Sequence, residues 1–161
     1  MHRAYERYVI EEAIPFIKHK TGWFDPMMTT GCSMGAYHAV NFFLQHPDVF
    51  NKVIALSGVY DARFFVGDCL DDEAIYQNSP ADYIWNQNDG WFIDHYRNAD
   101  IIVCTGLGAW EQDGLPSFYT LKEAFEHKNI PAWFAEWGYD VSHDWIWWRK
   151  QMPYFLSQLN L

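Results

Sequence analysis

The fold of this chain is decided by the stretch Met28-Thr29-Thr30-Gly31-Cys32-Ser33-Met34-Gly35-Ala36. Its centre is the pattern Gly31-x-Ser33-x-Gly35, a spacing typical of a serine held on a sharp turn between a strand and a helix. A β-leaning apolar run precedes the pattern, and apolar residues at helical spacing follow it from Ala36 to about Gln45. This context predicts a strand, a tight turn and a helix in succession.

The turn would give Ser33 the geometry of a nucleophile. A serine in this strained position projects its Oγ beyond the sheet, and flanking glycines let neighbouring backbone pass without a Cβ clash. The backbone N–H of Met34 would then point toward a developing oxyanion at the N-terminus of the helix. The alternative interpretation is a small-residue turn without chemistry, and the strand–turn–helix context favours the nucleophile.

Length and composition predict one soluble globular domain over residues 1–161. Half of the residues are hydrophobic and 19% are aromatic, which is typical of a folded protein with a real core. No apolar run approaches the ~20 residues that a membrane span requires, so no membrane span is expected. The net charge of −10 disfavours nucleic acid and anionic membranes as partners.

The three cysteines, Cys32, Cys69 and Cys104, are widely spaced and odd in number. They indicate neither a disulfide framework nor a pair of metal ligands, and no metal or cofactor is predicted. Free thiols fit a reducing compartment, and the first residues are helix-like and charged, unlike a signal peptide. A cytoplasmic location is therefore expected.

Strand-like and helical segments alternate along the chain. After the first strand, strand-like runs occupy 52–57, 101–105 and 132–137, and the other segments of helical periodicity are 3–20, 117–127 and 143–159. This alternation predicts an α/β fold with a mostly parallel sheet of about four strands and helices on both faces.

Prolines and turn residues modify this pattern at three places. The first helix is expected to kink or restart at Pro15, and the last helix is expected to break near Pro153. The segment 62–99 contains many turn signals with apolar residues between them. It is interpreted as an irregular insertion over the sheet edge with short helical pieces.

A serine hydroxyl is a poor nucleophile at neutral pH and needs a general base. In a parallel sheet the catalytic residues lie beyond the carboxyl ends of the strands. His143 follows the last strand on the loop that opens the last helix, and it is the best placed of the seven histidines. The alternative is a helix N-terminal histidine without chemistry; the other six histidines fit the chain terminus, helix ends, helix surfaces or packing.

The third group should be a carboxylate that orients the imidazole. The chain order serine, acid, histidine places this acid after the third strand, where Glu111 and Asp113 lie. Glu111 is preferred because Trp110 beside it can pack and hold it, whereas Asp113 precedes a turn. Asp61, after the second strand, is a further alternative, and each acid also has an interpretation as a solvated loop residue.

Three segments carry a family resemblance: Gly31-Cys32-Ser33-Met34-Gly35-Ala36, Ala55-Leu56-Ser57-Gly58-Val59-Tyr60-Asp61 and Trp137-Gly138-Tyr139-Asp140-Val141-Ser142-His143-Asp144-Trp145. Together they resemble the putative-esterase family of α/β-hydrolases, which includes ferulic acid esterases, S-formylglutathione hydrolases and mycolyltransferases. The resemblance runs in order over nearly the whole chain. It implies an esterase acting on a small-molecule ester or acyl substrate through an acyl-enzyme, with Ser33 as nucleophile, His143 as base and Glu111 as acid.

One departure from the family concerns the second oxyanion donor. In this fold that donor comes from a loop well upstream of the nucleophile, and only one helix precedes the turn in this chain. The resemblance therefore implies a partial α/β-hydrolase fold that lacks the early strands. The first strand is then expected to have an exposed edge, which would pair with a missing N-terminal segment or in a homo-oligomer.

Two functional hypotheses follow. The first is a serine esterase or acyl-transfer enzyme, and the second is a catalytically silent domain that binds a ligand or partner through its aromatic surface. Four tryptophans surround His143 in the sequence and would either line an acyl or aryl pocket or pack the last helix: Trp137, Trp145, Trp147 and Trp148. Core packing is expected for at least two of them.

Overall fold

The sheet has four parallel strands that lie in the order in which they occur in the sequence. The computed structural model describes residues 2–67 and 72–159. Within them the strands are β1 (Met27–Cys32), β2 (Phe50–Leu56), β3 (Asp100–Thr105) and β4 (Trp133–Glu136). Each strand pairs in parallel with the next. The expected four-strand parallel sheet is confirmed, and all carboxyl ends meet on one side of the molecule.

The helices of the described residues are α1 (His2–Tyr8), α2 (Ile14–Thr21), α3 (Met34–Gln45), α4 (Arg63–Val66), α5 (Asp72–Tyr76), α6 (Pro80–Asn86), α7 (Gly90–Arg97), α8 (Leu115–His127) and α9 (Trp145–Leu156). A π-helical turn over Val9–Ala13 joins α1 to α2 just before Pro15. This local change of register accommodates a residue that has no N–H to donate. The helical backbone therefore continues through Pro15 without a restart, and the irregularity expected there is this π-helical turn.

The two faces of the sheet are covered unequally. Every crossover advances in the same direction across the sheet, so right-handed connections place the intervening helices on one face. Side chains of α3, α6, α7 and α8 form the larger core there, against alternate strand residues such as Val53 and Ala55. The neighbouring residues Ile54 and Leu56 point to the opposite face, where α9 covers them. Helices on both faces are thus confirmed.

The segment 62–99 lies in a different place from the one expected. Ala81, Ile84, Ile93 and Tyr96 from this segment are buried in the core shared with α3 and α8, and they do not extend over the edge of the sheet. The reason is topological, since β2 and β3 are neighbours in the middle of the sheet and their crossover must run over a face. The turn signals at 68–71, including Cys69, lie outside the described residues.

The break expected near Pro153 is wrong, because α9 continues through Pro153 to Leu156. A proline inside a helix removes one hydrogen bond to the carbonyl four residues earlier. That carbonyl belongs to Arg149, which is exposed, as is Pro153 itself. Water can therefore satisfy the carbonyl, and burial of Trp148 and Phe155 on either side stabilises the continuous helix.

The turn between β1 and α3 depends on close contact of backbone with backbone. A Cβ built on Gly31 would lie 2.2 Å from both the carbonyl carbon and the carbonyl oxygen of Gly35. Such a distance is far inside van der Waals contact, so only glycine lets the strand pass the first turn of the helix. A Cβ on Gly35 would meet no atom of the described residues within 4 Å. The steric need expected for both glycines is therefore observed only at Gly31.

Gly31→Ala is expected to destabilise the fold, and Gly35→Ala is the matched control. The new methyl group at residue 31 must displace backbone, which lowers the free energy of unfolding by about 1–3 kcal/mol or more. At residue 35 the same methyl group enters open space at the start of a helix, where alanine is favoured over glycine by up to ~1 kcal/mol. Urea denaturation followed by circular dichroism measures both changes. Equal destabilisation by the two variants would contradict this account of the turn.

Candidate active site

Ser33 occupies the strained position that the glycine spacing predicts. Its φ of 55° and ψ of −123° lie in a region that residues other than glycine rarely adopt. Two backbone hydrogen bonds hold it there: Ser33 N–H donates to Leu56 O at 2.9 Å, and Ser33 O accepts from Ala36 N–H at 3.0 Å. The residue is thus anchored to β2 on one side and to α3 on the other, and its side chain projects from the turn.

The imidazole of His143 lies directly beside this hydroxyl. Its Nε2 is 2.8 Å from Ser33 Oγ, although the two residues are 110 positions apart in the sequence. The backbone of His143 is held by donation of its N–H to Ala109 O at 2.9 Å. Its ring packs edge-on against the indole of Trp148, with centroids 5.0 Å apart. The strand–loop–helix order that selected His143 in the sequence therefore brings it to the serine.

Glu111 lies behind the histidine and is only 2% exposed. Its Oε2 is 3.4 Å from His143 Nδ1, and its Oε1 accepts a hydrogen bond of 2.7 Å from Ser57 Oγ. The expected packing of Trp110 against this acid is wrong, because Trp110 is 82% exposed. Its φ of 67° turns the tryptophan outward and the carboxylate inward. A buried carboxylate at the far nitrogen of the imidazole can hold the tautomer that leaves Nε2 as an acceptor.

The two alternative acids have other surroundings. Asp61 binds the guanidinium of Arg63, with Oδ2 3.0 Å from Nε. Asp113 is exposed and lines the cavity in front of Ser33. Among the described residues, neither carboxylate has a hydrogen bond to His143. Of the three acids that the sequence offered, the structure brings only Glu111 to the imidazole.

A cavity of about 250 Å³ opens in front of Ser33 and His143. Its apolar wall is formed by Met34, Val59, Phe64, Phe65 and Trp110. The sequence did not predict this wall, because the aromatic pair Phe64 and Phe65 stands among the turn signals that follow β2. A parallel sheet brings the segment after β2 to the carboxyl ends of the strands.

The tryptophans near His143 mostly pack the last helix. Trp148 is buried and Trp137 packs against Tyr154 and Phe155, as expected for at least two of the four. Trp147 lies beneath the ammonium group of Lys150, 4.4 Å from its ring centroid, and Trp145 packs edge-on against Trp148. None of the four lines the cavity at Ser33. The last helix therefore supports the histidine rather than forming the pocket.

The amide of Met34 is the first N–H of α3, so it has no acceptor within the helix. It donates to no acceptor in the part of the chain that the structure describes. It follows Ser33 directly and is therefore available to an oxyanion formed at the serine, where the positive end of the helix dipole also acts.

Cys32 precedes Ser33 but differs from it chemically. Burial raises the pKa of the Cys32 thiol, which keeps it protonated and weakly nucleophilic at neutral pH. Burial also raises the pKa of Cys104. Both are free cysteines.

Among residues 2–67 and 72–159, no group of three or more His, Cys, Asp or Glu side chains is arranged to hold a metal ion. No helix within these ranges is both long and apolar enough to cross a bilayer.

The parallel sheet, the sharp turn at its first strand and the serine–histidine–carboxylate arrangement define an α/β-hydrolase-like architecture. The family described as Putative esterase matches residues 1–159, so the chain belongs to this family. No curated protein matches the chain significantly.

Solved structures share this fold at low sequence identity. A ferulic acid esterase superposes with a TM-score of 0.76 at 22% identity, and the match covers 94% of this chain and 59% of that esterase. An S-formylglutathione hydrolase from Agrobacterium tumefaciens has a TM-score of 0.74 at 15% identity, and the match covers 94% of this chain and 55% of that hydrolase. A fluorophosphonate-binding serine hydrolase from Staphylococcus aureus has a TM-score of 0.64 at 19% identity, and the match covers 93% of this chain and 61% of that enzyme. The chain thus spans somewhat more than half the length of these proteins.

On the hypothesis that Ser33 is an esterase nucleophile, Glu111→Gln is expected to lower ester hydrolysis by orders of magnitude while the fold is kept. The amide no longer favours the imidazole tautomer that accepts the serine proton, and the comparable change in a serine protease costs about 10⁴-fold. Asp113→Asn is the matched control, since this exposed acid does not contact His143. The turnover number for a short-chain activated ester measures both. An active Glu111→Gln with an inactive Asp113→Asn would assign the acid to Asp113.

Proposed function

We propose that this chain is a serine carboxylic-ester hydrolase that works through an acyl-enzyme. The observation that carries the proposal is the line of Ser33, His143 and Glu111, with 2.8 Å between Ser33 Oγ and His143 Nε2 and 3.4 Å between His143 Nδ1 and Glu111 Oε2. Membership in the Putative esterase family supports the same reaction class. The serine hydrolase and esterases that share the fold agree with it.

The reaction follows from these contacts. Ser33 Oγ attacks the carbonyl carbon of the ester, and its proton passes to His143 Nε2. The tetrahedral intermediate places its oxyanion at the N–H of Met34, and Glu111 stabilises the imidazolium. When the intermediate collapses, the alcohol leaves with the proton from His143. Water then attacks the acyl-enzyme with His143 as base, which releases the acid and restores the serine.

The cavity indicates the kind of substrate. Its volume of about 250 Å³ and its lining by Phe64, Phe65 and Trp110 suit a small ester with an apolar or aromatic group. A neighbouring cavity of about 310 Å³ shares Asp113 with it and contains Asp61 paired with Arg63. The exposed Asp113, which lines the cavity at Ser33 and has no ion pair among the described residues, disfavours an anionic substrate. A small neutral ester is therefore the proposed substrate class.

A fluorophosphonate probe is expected to label Ser33 covalently. Ser33 Oγ would form a bond to phosphorus, fluoride would leave, and the proton would pass to His143. Peptide mapping by mass spectrometry identifies the labelled residue, with Ser33→Ala as the negative control and Cys32→Ala as the variant that should keep the label. A wild-type chain that remains unlabelled would favour the second hypothesis, a silent domain that binds through its exposed aromatic residues.

The open edge of β1 bears on how active these residues are by themselves. Among the described strands β1 pairs with β2 alone, which leaves its other edge without a partner in the sheet. Met34 supplies one oxyanion donor at the start of α3, and in this fold the second donor comes from a loop upstream of the nucleophile strand. We propose that full activity requires a further strand and donor on this side, from a preceding segment or from a second copy of the chain.

Residues 1–161 purified alone are expected to hydrolyse a short-chain activated ester weakly and to self-associate. Loss of one oxyanion donor costs about 10²–10³ in rate in a characterised protease, and an unpaired strand edge favours association. Light scattering gives the mass in solution, and turnover is compared with that of Ser33→Ala. A monomer with robust, Ser33-dependent turnover would overturn this proposal and would assign the second donor to a loop such as 62–99.

A further inference from the structure

We propose that Ser57 and Trp148 are positioning residues, which hold the Glu111 carboxylate toward His143 through a hydrogen-bond chain of fixed direction. This inference rests on the proposed function, in which Glu111 is the acid behind the general base. It assigns a role in the reaction to a serine after β2 and to a tryptophan on α9, both of which act through the Glu111 carboxylate.

The direction of the chain follows from the chemistry of its ends. The indole Nε1 of Trp148 can only donate, and it lies 3.0 Å from Ser57 Oγ. The ionised carboxylate of Glu111 can only accept, and its Oε1 lies 2.7 Å from the same hydroxyl. The single hydroxyl proton of Ser57 is therefore directed to Glu111, because the indole proton occupies the acceptor side of the oxygen.

The hydrogen-bond chain continues from Glu111 through His143 to Ser33. With Oε1 bound by Ser57, Oε2 remains for the N–H at Nδ1 of His143, at 3.4 Å. A proton at Nδ1 leaves Nε2 as the acceptor for the hydroxyl of Ser33, at 2.8 Å. The indole of Trp148 therefore biases the proton arrangement along the whole line to Ser33.

The backbone of Ser57 adopts a strained conformation that fixes the direction of its side chain. Ser57 is 3% exposed and has a φ of 56°, a conformation that costs energy for any residue with a Cβ. Its N–H donates to Cys104 O at 2.7 Å, which extends the pairing of β2 with β3 by one residue. The strained turn aims the hydroxyl between the acid and the indole, and a packing role alone does not require a hydroxyl there.

No other described group replaces this donor well. Thr105 Oγ1 is 3.4 Å from Glu111 Oε2, but it is closer, at 3.1 Å, to the carbonyl oxygen of Gly106. One hydroxyl proton cannot serve both acceptors fully. Ser57 thus makes the shortest hydrogen bond to the carboxylate and has the largest influence on its rotamer.

The test uses the rate of fluorophosphonate labelling of Ser33, measured from pH 5 to 9 in about half-unit steps. Labelling needs the nucleophile and its base but not full turnover, so it reports the activation of Ser33 directly. The variants are Ser57→Ala, Trp148→Phe and the double variant. Trp147→Phe is the matched control, because Trp147 lies on the same helix and has no contact with Ser57. Circular dichroism checks that each variant folds.

Ser57→Ala is expected to slow labelling about tenfold or more, as for loss of a hydrogen bond to a charged group. It should also move the acid limb of the rate profile, whereas a loss of packing alone would lower the rate equally at every pH. Trp148→Phe should give a smaller change in the same direction. The double variant should be no slower than Ser57→Ala, because the phenyl ring keeps the packing against His143 and the lost indole N–H acts through Ser57. Trp147→Phe should keep the wild-type rate.

Three results would overturn the inference. Ser57→Ala could react at the wild-type rate with an unchanged pH profile, or the two single losses could add in the double variant, which would indicate independent packing effects. Should Ser57→Ala fail to fold, an unmoved acid limb in Trp148→Phe would have the same meaning. An unlabelled wild-type chain would instead overturn the proposed function itself, and the inference with it.

Discussion

The structure depends on one close approach, that of the Gly31 backbone to the carbonyl group of Gly35. Because no Cβ intervenes, β1 can pass into α3 within a single residue, and that residue is Ser33, with its left-handed φ. Such a conformation persists only when the surroundings determine it completely. Here the hydrogen bonds of Ser33 to β2 and to α3 do so. The strain places the hydroxyl outside the sheet, at the start of a helix, where an anion is favoured.

The parallel order of the strands then assembles the rest of the site. Each strand contributes a member beyond its carboxyl end: Ser33 after β1, Ser57 after β2, Glu111 after β3 and His143 after β4. These residues are far apart in the sequence, yet neighbouring parallel strands bring them side by side without any special loop. The last helix completes the assembly, because Trp148 packs against His143 and donates its indole proton to Ser57. The hydrogen bond from Trp148 to Ser57 therefore joins the last helix to the end of β2 and also belongs to the candidate site.

Backbone patterns explain why much of the architecture was predictable. Continuous apolar runs and helical periodicity are local properties, and they located all four strands, α3 and α8 to within a few residues. Non-local effects account for the errors. The helix through Pro153 is stabilised by core residues on both sides of the proline, and the segment 62–99 lies over a face because of strand order. Neither cause is visible in the residues of the segment itself.

The sequence by itself determined the fold class and the candidates Ser33 and His143, because the glycine spacing and the order of strands and helices are local properties of the chain. It limited the acid to Glu111, Asp113 or Asp61. Only the tertiary structure shows that Glu111, and not Asp113 or Asp61, is the carboxylate buried beside Nδ1 of His143. It alone revealed Ser57 as the partner of Glu111 and the aromatic wall of Phe64, Phe65 and Trp110. Hydrogen-bond partners are set by distance in space, which the sequence encodes only through the completed fold.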